Sequence, residues 1–323
     1  MIYPHNFEQK TGFDKIRLLL KKKCFTQAGI GLVETMNFSN NADEIFYNLN
    51  ITKEYKHLLE SGSDIPELYF ADFLPVLHRI RPEGTFLITE ELSILKNSLT
   101  SIYRFTDFIK KHPSNLYPLL QNEAEKIANY KIIIEKIDNI LDRFGKIRDN
   151  ASPELSKLRQ NIKEKQVLVV KVMQSILRQI KADGGTEDDS ELVIREGRMV
   201  IPVYSSYKRQ VHAILRDESA TGKTAFIEPI EAVHINNDIL ALEFEEKREI
   251  VKILTVFTSF LRPYLPELHT AYNFLVSLEF IQAKARLAIE MKAVVPNMDT
   301  NPILSFDNIR HPLLEIHLRN EHK

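Results

Sequence analysis

Cysteine and tryptophan are scarce in this chain, which has one cysteine, Cys24, and no tryptophan among its 323 residues. A single cysteine excludes an intramolecular disulfide and a metal site built on several thiolates, which fits a reducing compartment. No apolar run approaches the roughly 18 residues that a membrane-spanning helix requires. The start, residues 1–6, lacks the basic and apolar segments of a signal peptide. We therefore expect a cytoplasmic protein with no membrane partner.

Charge of one sign is also lacking, because 43 Lys and Arg residues nearly balance 44 Asp and Glu residues. A net charge of −1 gives no global attraction to nucleic acid, so any such contact must come from a local patch. Glycine is rare as well, with ten residues. Few glycines among many Leu, Ile, Lys and Glu residues favour helix. The ten histidines show no metal-ligand spacing with carboxylates, and we predict no metal and no cofactor in this chain.

The first 150 residues predict a compact bundle of ordinary helices. One helix begins at Phe13, and the others are predicted over Asn41–Glu60, Phe70–Ile80 and Thr89–Lys111, with Thr89 as an N-cap. Residues 145–152 interrupt the helical pattern.

Two long helices of nearly equal length follow, with a short insert between them. Ser152 caps the first, predicted over 153–183, and the second is predicted over 231–262. Equal lengths predict an antiparallel arm in which one helix leads out and the other leads back. The apolar residues assigned to the inner face of the first helix are Leu155, Ile162, Val169, Val172, Met173, Ile176, Leu177 and Ile180. Those assigned to the second are Val233, Leu240, Phe244, Val251, Leu254, Phe257 and Leu261.

The insert at residues 184–229 changes from a helical to a strand-like period. Leu192–Ile194 and Met199–Val203 flank Glu196-Gly197, which predicts a hairpin with a two-residue turn. Pro202 has no N–H to donate and must therefore lie at an edge of the sheet.

Two further strands are predicted at Val211–Arg216 and Thr224–Ile227, joined by a turn at Ala220–Lys223. After Pro263 another helix is predicted to about Lys292, and the last thirty residues read as irregular or strand-like. The predicted fold is mainly α with a small β insert. A helical core bundle carries a long antiparallel helical arm with a four-stranded antiparallel sheet at its tip.

The triplet Gly222-Lys223-Thr224 has the letters of a phosphate-binding loop without its spacing. Such a loop needs a glycine five residues before its Gly-Lys pair, and that position here is Asp217. It must also open a helix, whereas Ala225–Ile227 is strand-like. We predict no nucleotide site in this chain.

Several stretches resemble, in the same order, the MutS2 branch of bacterial MutS-type proteins, a paralogue without the mismatch-reading domain. The motifs are weak singly and specific together, and the resemblance covers nearly the whole chain. It implies a core, a lever of two long helices and a β clamp that embraces nucleic acid. The stretches are Ile147–Leu155, Arg195–Val203, Ser219–Pro229, Asn236-Asn237, Ala283–Ala288 and Ile309–Leu314.

The resemblance also implies domain limits and a longer parent protein. We expect truncation at the start of the ATPase domain, because the family's phosphate-binding loop and nuclease domain have no counterpart here. The chain itself is then no enzyme, and its parent is a dimeric ATPase that uses ATP and Mg and in many members also nicks DNA. The implied limits are 1–150 helical core, 151–183 outgoing lever helix, 184–229 clamp, 230–292 returning lever helix and core, and 293–323 start of the ATPase domain.

Seven residues of the insert are candidates for binding nucleic acid. Residues 191–228 hold six basic and five acidic residues, a weak patch that charge alone would assign to an ordinary solvated surface. With the resemblance taken into account, contact with nucleic-acid phosphate and an ordinary solvated surface are equally favoured interpretations. Asp217, Glu218 and Glu228 are interpreted as solvated acids, and no catalytic residue is predicted. The seven candidates are Arg195, Arg198, Tyr207, Lys208, Arg209, Arg216 and Lys223.

Two functions from different classes remain open at this point. One is a clamp for branched DNA that suppresses recombination, or for rRNA on stalled ribosomes. The alternative is a structural or protein-interaction arm without nucleic-acid affinity, which an exposed apolar patch on the tip would favour.

Overall fold

The computed structural model describes residues 6–298 and 304–321, which form mainly helix and one small antiparallel sheet. The predicted fold class, mainly α with a β insert, is confirmed. Residues 1–5, on which most of the signal-peptide argument rests, lie outside the described residues. The helices are α1 (Phe7–Thr11), α2 (Phe13–Lys21), α3 (Gln27–Thr35), α4 (Ala42–Glu60), α5 (Leu74–Arg79), α6 (Thr89–Lys110), α7 (Pro118–Glu125), α8 (Lys131–Ile140), α9 (Pro153–Ala182), α10 (Ile230–Leu261), α11 (Leu265–Glu290) and α12 (Pro312–Glu321). The strands are β1 (Val193–Arg195), β2 (Arg198–Tyr204), β3 (Ala213–Glu218) and β4 (Thr224–Pro229).

The chain divides into two compact units. Unit 1 consists of Met1–Asp138 and Phe257–Lys323, and unit 2 consists of Asn139–Val256. All seven candidate residues therefore lie in unit 2.

Helix α11 is the centre of unit 1, where it packs against α2 to α6. Its apolar residues are buried on several sides, which explains why it shows little amphipathic pattern in sequence. The ring of Tyr272 meets Phe73 edge to face at 5.2 Å between centroids. Each such large buried side chain stabilises the fold by about 1.5–3 kcal/mol through removal of apolar surface from water.

A buried carboxylate on α11 fixes the start of α3. Glu279 Oε1 accepts hydrogen bonds from the N–H groups of Phe25 at 2.6 Å and Thr26 at 2.8 Å. Its Oε2 accepts from Thr26 Oγ1 at 2.5 Å. The carboxylate therefore satisfies donors that precede the helix and lies at the positive end of its dipole. Gly29 leaves the space that this carboxylate occupies.

Unit 2 is built on α9 and α10, which run antiparallel. Ser152 Oγ donates to Glu249, Arg159 Nε donates to Glu246, and Lys165 forms an ion pair with Asp238. Partners later in α9 are thus earlier in α10. Ser152 also caps α9 by accepting from the N–H of Leu155 at 3.1 Å, so the predicted N-cap is confirmed.

The predicted inner face of α9 is confirmed at most positions, with Leu155, Ile162, Val169, Met173, Leu177 and Ile180 buried and Val172 and Ile176 half-buried.

The inner face assigned to α10 is wrong at three positions of unit 2, whereas Val233 is half-buried and Leu254, Phe257 and Leu261 are buried. Leu240, Phe244 and Val251 are 45%, 52% and 42% exposed. Glu246 and Glu249 take inner positions instead, because Glu246 accepts from Arg159 on α9 and Glu249 accepts from Ser152, the N-cap of α9. At these three positions apolar character alone therefore selected the wrong side of the helix. The inward-facing residues, at heptad spacing, are Ala232, Ile235, Ile239, Leu242, Glu246 and Glu249.

The sheet has the strand order β1-β2-β4-β3, and every neighbouring pair is antiparallel. Arg195 pairs with Arg198 across the predicted two-residue turn. Glu196 and Gly197 have φ values of 49° and 73°, as a type I′ turn requires.

Pro202 lies in β2, which has a neighbour on each side, yet the prediction of an edge position holds locally. β1 pairs with β2 only as far as Val200. The N–H of Tyr204 points away from β4, to Gly185 O at 2.9 Å. Because N–H directions alternate along a strand, the donor that Pro202 lacks would also point away from β4, past the end of β1.

Two predicted helix starts also require correction. α5 begins at Leu74 and not Phe70. Ile88, not Thr89, is the N-cap of α6, and the side chain of Glu91 accepts from its N–H at 3.0 Å.

The C-terminal stretch, predicted as irregular or strand-like, contains α12. Glu315 pairs there with Arg319 one turn later at 2.5 Å and with Arg310 at 3.4 Å. This local pairing favours helix. The predicted start of an ATPase domain also covers residues 299–303 and 322–323, which lie outside the described residues.

We predict that Gly29→Ala destabilises the protein by about 1–3 kcal/mol, the usual range for overpacking a core. An added Cβ would lie 2.6 Å from the carboxylate of Glu279, whose hydrogen bonds to Phe25 and Thr26 prevent it from moving away without loss. Urea unfolding would measure the change.

Gly31→Ala is the matched control, because it adds the same methyl group to the same helix where no atom lies within 4 Å. It should stabilise the protein by about 0.5–1 kcal/mol, as alanine favours helix over glycine. Equal effects of the two substitutions would contradict the role assigned to Glu279.

Candidate functional site

Three of the candidate arginines gather on one face of the sheet. Arg195 and Arg198 are opposite each other in the β1–β2 register and therefore share a face. Arg216 is the extra residue of a bulge, because the β3–β4 register shifts between Leu215 and Asp217. A bulge redirects a side chain, and here the guanidinium of Arg216 reaches Glu228.

Glu228 is a buried hub and not the solvated acid that was predicted, since its side chain is 0% exposed. Its Oε2 accepts from Arg216 Nε at 2.8 Å and lies 2.6 Å from Arg216 Nη2. Its Oε1 accepts from Asn236 Nδ2 at 2.7 Å and lies 3.7 Å from Arg198 Nη1. The carboxylate thus joins β2, β3 and β4 to α10. Charge neutralisation by two arginines makes its burial possible.

Arg195 belongs to a more exposed arrangement on this sheet. Its Nε lies 3.7 Å from a carboxylate oxygen of Asp217, and its guanidinium lies 4.7 Å from the centroid of the Phe226 ring. Asp217 and Glu218 are exposed, which confirms that they are solvated acids.

Tyr207 packs within unit 2. A Cβ built on Gly185 would lie 2.5 Å from its ring, so the ring rests directly on that glycine. The hydroxyl of Tyr207 donates to Asp183 at 3.2 Å. Desolvation and this hydrogen bond raise the pKa of Tyr207 above its ordinary value. The close fit requires glycine at position 185.

Lys223 lies in the β3–β4 turn, and Lys208 and Arg209 lie in the segment 205–212 between β2 and β3. Ser205, at the start of the segment before Lys208, donates from N to Lys223 O at 3.0 Å and from Oγ to Gly222 O at 2.5 Å. Lys208 pairs with Glu218 at 2.6 Å. Arg209 and Lys223 are exposed, and neither forms an ion pair with a described residue.

The turn itself does not resemble a phosphate-binding loop in geometry. The N–H of Gly222 donates to Ser219 O at 2.8 Å, and Gly222 has a φ of 66°, which glycine adopts without strain. β4 follows Lys223 directly, so no helix N-terminus is available there.

The described residues contain neither a candidate membrane-spanning helix nor a potential metal cluster. None of their helices is both long and apolar enough to cross a bilayer. Nor do three or more His, Cys, Asp or Glu side chains there converge on a possible metal position.

The comparisons with known proteins point to the family that the sequence motifs resemble. No family model matches the chain. It is 30% identical over 304 residues to a protein named Endonuclease MutS2 from Clostridium botulinum (strain Alaska E43 / Type E3). The aligned region covers 94% of this chain and 38% of the relative. Proteins of the same name from Alkaliphilus oremlandii and Caldicellulosiruptor saccharolyticus are 29% identical over 303 residues and 30% identical over 304 residues, with the same coverage.

These relatives define the class as MutS-type proteins. Within that class, the chain is a MutS2-family protein, and it spans about 38% of the length of the curated relatives that it matches.

The sequence interpretation missed Glu228, Asn236 and Gly185 as residues that organise the site. Asn236 belongs to a motif of the resemblance, and Glu228 shares its strand face with Phe226 because alternate residues point the same way. These two features of the sequence could have indicated the roles of Asn236 and Glu228. The pairing itself depends on the bulge at Arg216, which no local pattern predicts.

We predict that Glu228→Ala destabilises the protein by about 2 kcal/mol, because it leaves Arg216 and Asn236 without their acceptor. Chemical unfolding followed through a probe in unit 2 would measure the loss.

Glu218→Ala is the comparison variant, since it breaks the exposed pair with Lys208. Such pairs contribute at most about 1 kcal/mol. If the two variants lose equal stability, Glu228 is not the organising group.

Proposed function

We propose that unit 2 contains the lever and clamp of a MutS2 protein and holds nucleic acid by its phosphate backbone. Residues 151–183 and the early part of 230–292 form the lever, and residues 184–229 form the clamp. The relatives' name supports a nucleic-acid substrate, and the antiparallel α9 and α10 with a sheet between them in sequence support this division. The remaining limits, core at 1–150 and ATPase start at 293–323, belong to the same proposal.

The observation that carries the proposal is the exposure of two unpaired cations, Arg209 and Lys223, among the described residues. Lys and Arg bind phosphate without reading sequence, and each contact releases counterions. The other basic candidates already have carboxylate partners.

The seven candidates accordingly take different roles in the proposal. Arg209 and Lys223 bind phosphate directly. Arg195 and Lys208 exchange their exposed carboxylate partners for phosphate on binding, because exposed ion pairs are weak. Arg198 and Arg216 hold the sheet through Glu228, and Tyr207 holds the turn through its contact with Gly185.

We propose that the nucleic acid is either branched DNA, with suppression of recombination as the process, or rRNA of stalled ribosomes. For the whole protein we propose a homodimer that hydrolyses ATP with Mg. We also propose endonuclease activity for it, because the relatives are named Endonuclease MutS2. Catalysis by that longer protein does not require a catalytic residue in this chain.

The test is the salt dependence of binding to a four-way DNA junction, measured by fluorescence anisotropy with the whole chain. Arg209→Glu/Lys223→Glu should weaken binding at low salt. It should also reduce the slope of log K against log salt by about 0.9 for each lost phosphate contact. Linear duplex and an rRNA hairpin, measured in parallel, separate branched-DNA preference from the ribosomal alternative.

Lys10→Glu/Lys15→Glu is the matched control. It makes the same change in net charge at two exposed lysines of unit 1 that have no ion pair among the described residues. The control should keep nearly the parental slope. Equal losses for both double variants, or no binding at low salt, would exclude the clamp at this surface.

A protein-interaction arm is the second candidate, and the exposed stripe of Leu240, Phe244 and Val251 on α10 favours it. Exposed apolar patches of this kind are typical of protein contacts. The occupant that fits the proposed homodimer is the same stripe of a second copy.

Under this alternative, Phe244→Ser should shift a concentration-dependent dimer toward monomer in sedimentation velocity, because it removes the largest apolar side chain of the stripe. Val167→Ser, at a similarly exposed position of α9, should not. A parental chain that stays monomeric at every concentration would contradict this second candidate.

A further inference from the structure

Unit 1 contains a groove-like cavity that the proposed clamp does not use. Its volume is 1280 Å³, and its walls come from α2, α3, α4, α11 and residues 36–39 and 293–295. Small-ligand sites have mainly apolar walls with a few placed polar groups. The apolar wall residues include Leu32, Ile45, Leu49, Phe280 and Val295.

Lys284 supplies the central polar group of this cavity. It lies in the Ala283–Ala288 motif, on α11, and is half-buried. Its Nζ lies 4.6 Å from the centroid of the Phe280 ring, a favourable cation–π contact. No carboxylate of a described residue forms an ion pair with it. Desolvation lowers the pKa of Lys284 to about 8, so the amine remains mainly charged at neutral pH.

The charged groups around the cavity are mostly positive. Lys53 and Lys56 of α4 line it together with Lys284. Lys56 donates to Ala293 O at 3.0 Å, and Lys53 is exposed without an ion pair to any described residue. Glu44 is the single acid among the lining residues, and its Oε2 already accepts from Ser39 Oγ at 2.6 Å.

We propose that this cavity binds a small apolar molecule that carries one carboxylate, with the carboxylate on the amine of Lys284 and the apolar part against Phe280 and Leu49. A half-buried cation among apolar groups is unfavourable without an anion, and a ligand carboxylate would supply the missing partner. The apolar walls select against small hydrophilic anions. The volume exceeds the roughly 300–1,000 Å³ of common ligand sites, so a ten-carbon chain fits.

Calorimetric titration of the whole chain with decanoate and with 1-decanol at pH 7 tests this assignment. The two probes share one alkyl chain and differ in charge. Decanoate should bind at least about tenfold more tightly, as a hydrogen bond to a charged group predicts. Lys284→Met should weaken decanoate binding about tenfold to a hundredfold and leave decanol binding unchanged.

Lys53→Met is the matched control, since it removes the same charge from the exposed rim of the same cavity. It should change decanoate affinity by less than about threefold, because exposed charges interact weakly. Lys284→Met replaces a desolvated cation by an apolar side chain of similar length, so we expect the fold to persist, which thermal unfolding checks. Equal affinities for the two probes, or equal losses in the two variants, would overturn the proposal.

The pH dependence gives a second readout for Lys284. The amine is protonated below a pKa of about 8 and loses its charge as pH rises through that value. Decanoate affinity should therefore fall between pH 7 and pH 10 in the parental chain and in Lys53→Met. It should stay nearly constant in Lys284→Met. If that variant shows the parental fall, then Lys53 or Lys56 and not Lys284 binds the carboxylate, and the assignment is wrong.

Discussion

The buried carboxylate of Glu228 is the constraint on which the sheet of unit 2 depends. It ties Arg216 in the bulge of β3, Arg198 in β2 and Asn236 in α10 to the end of β4. A carboxylate without these partners would be strongly unfavourable at zero exposure. The network fixes the strand order at the point where the sheet meets α10. It also removes two arginines from the surface available to a ligand.

The Glu228 network therefore decides which basic residues of the candidate interface remain available to a ligand. The cations with the most freedom are Lys223, in the β3–β4 turn, and Arg209, in the segment between β2 and β3. Loops held on a rigid frame commonly carry binding residues. Unit 1 has a different arrangement, in which the amine of Lys284, without an ion pair among the described residues, lies in an apolar cavity. In our proposals the two units therefore have separate chemistries, phosphate contact in unit 2 and carboxylate contact in unit 1.

Features with short-range causes could be predicted from sequence. The Ser152 cap, the turn at Glu196-Gly197 and the lengths of α9 and α10 each follow from residues within a few positions of one another. Capping side chains and glycine conformations act locally, so a single sequence reports them. The small antiparallel sheet was predictable for the same reason, although strand ends differ by one or two residues.

Features that depend on distant partners could not be predicted. Glu246 faces inward because Arg159, 87 positions earlier, binds it, and the apolar Phe244 is displaced to the surface as a consequence. Glu228 has the same dependence on the bulge at Arg216. Hydrogen–deuterium exchange with and without a DNA junction at low salt tests the central claim most directly. The account predicts new protection in residues 205–212 and 219–224, and protection confined to α10 around Phe244 would contradict it.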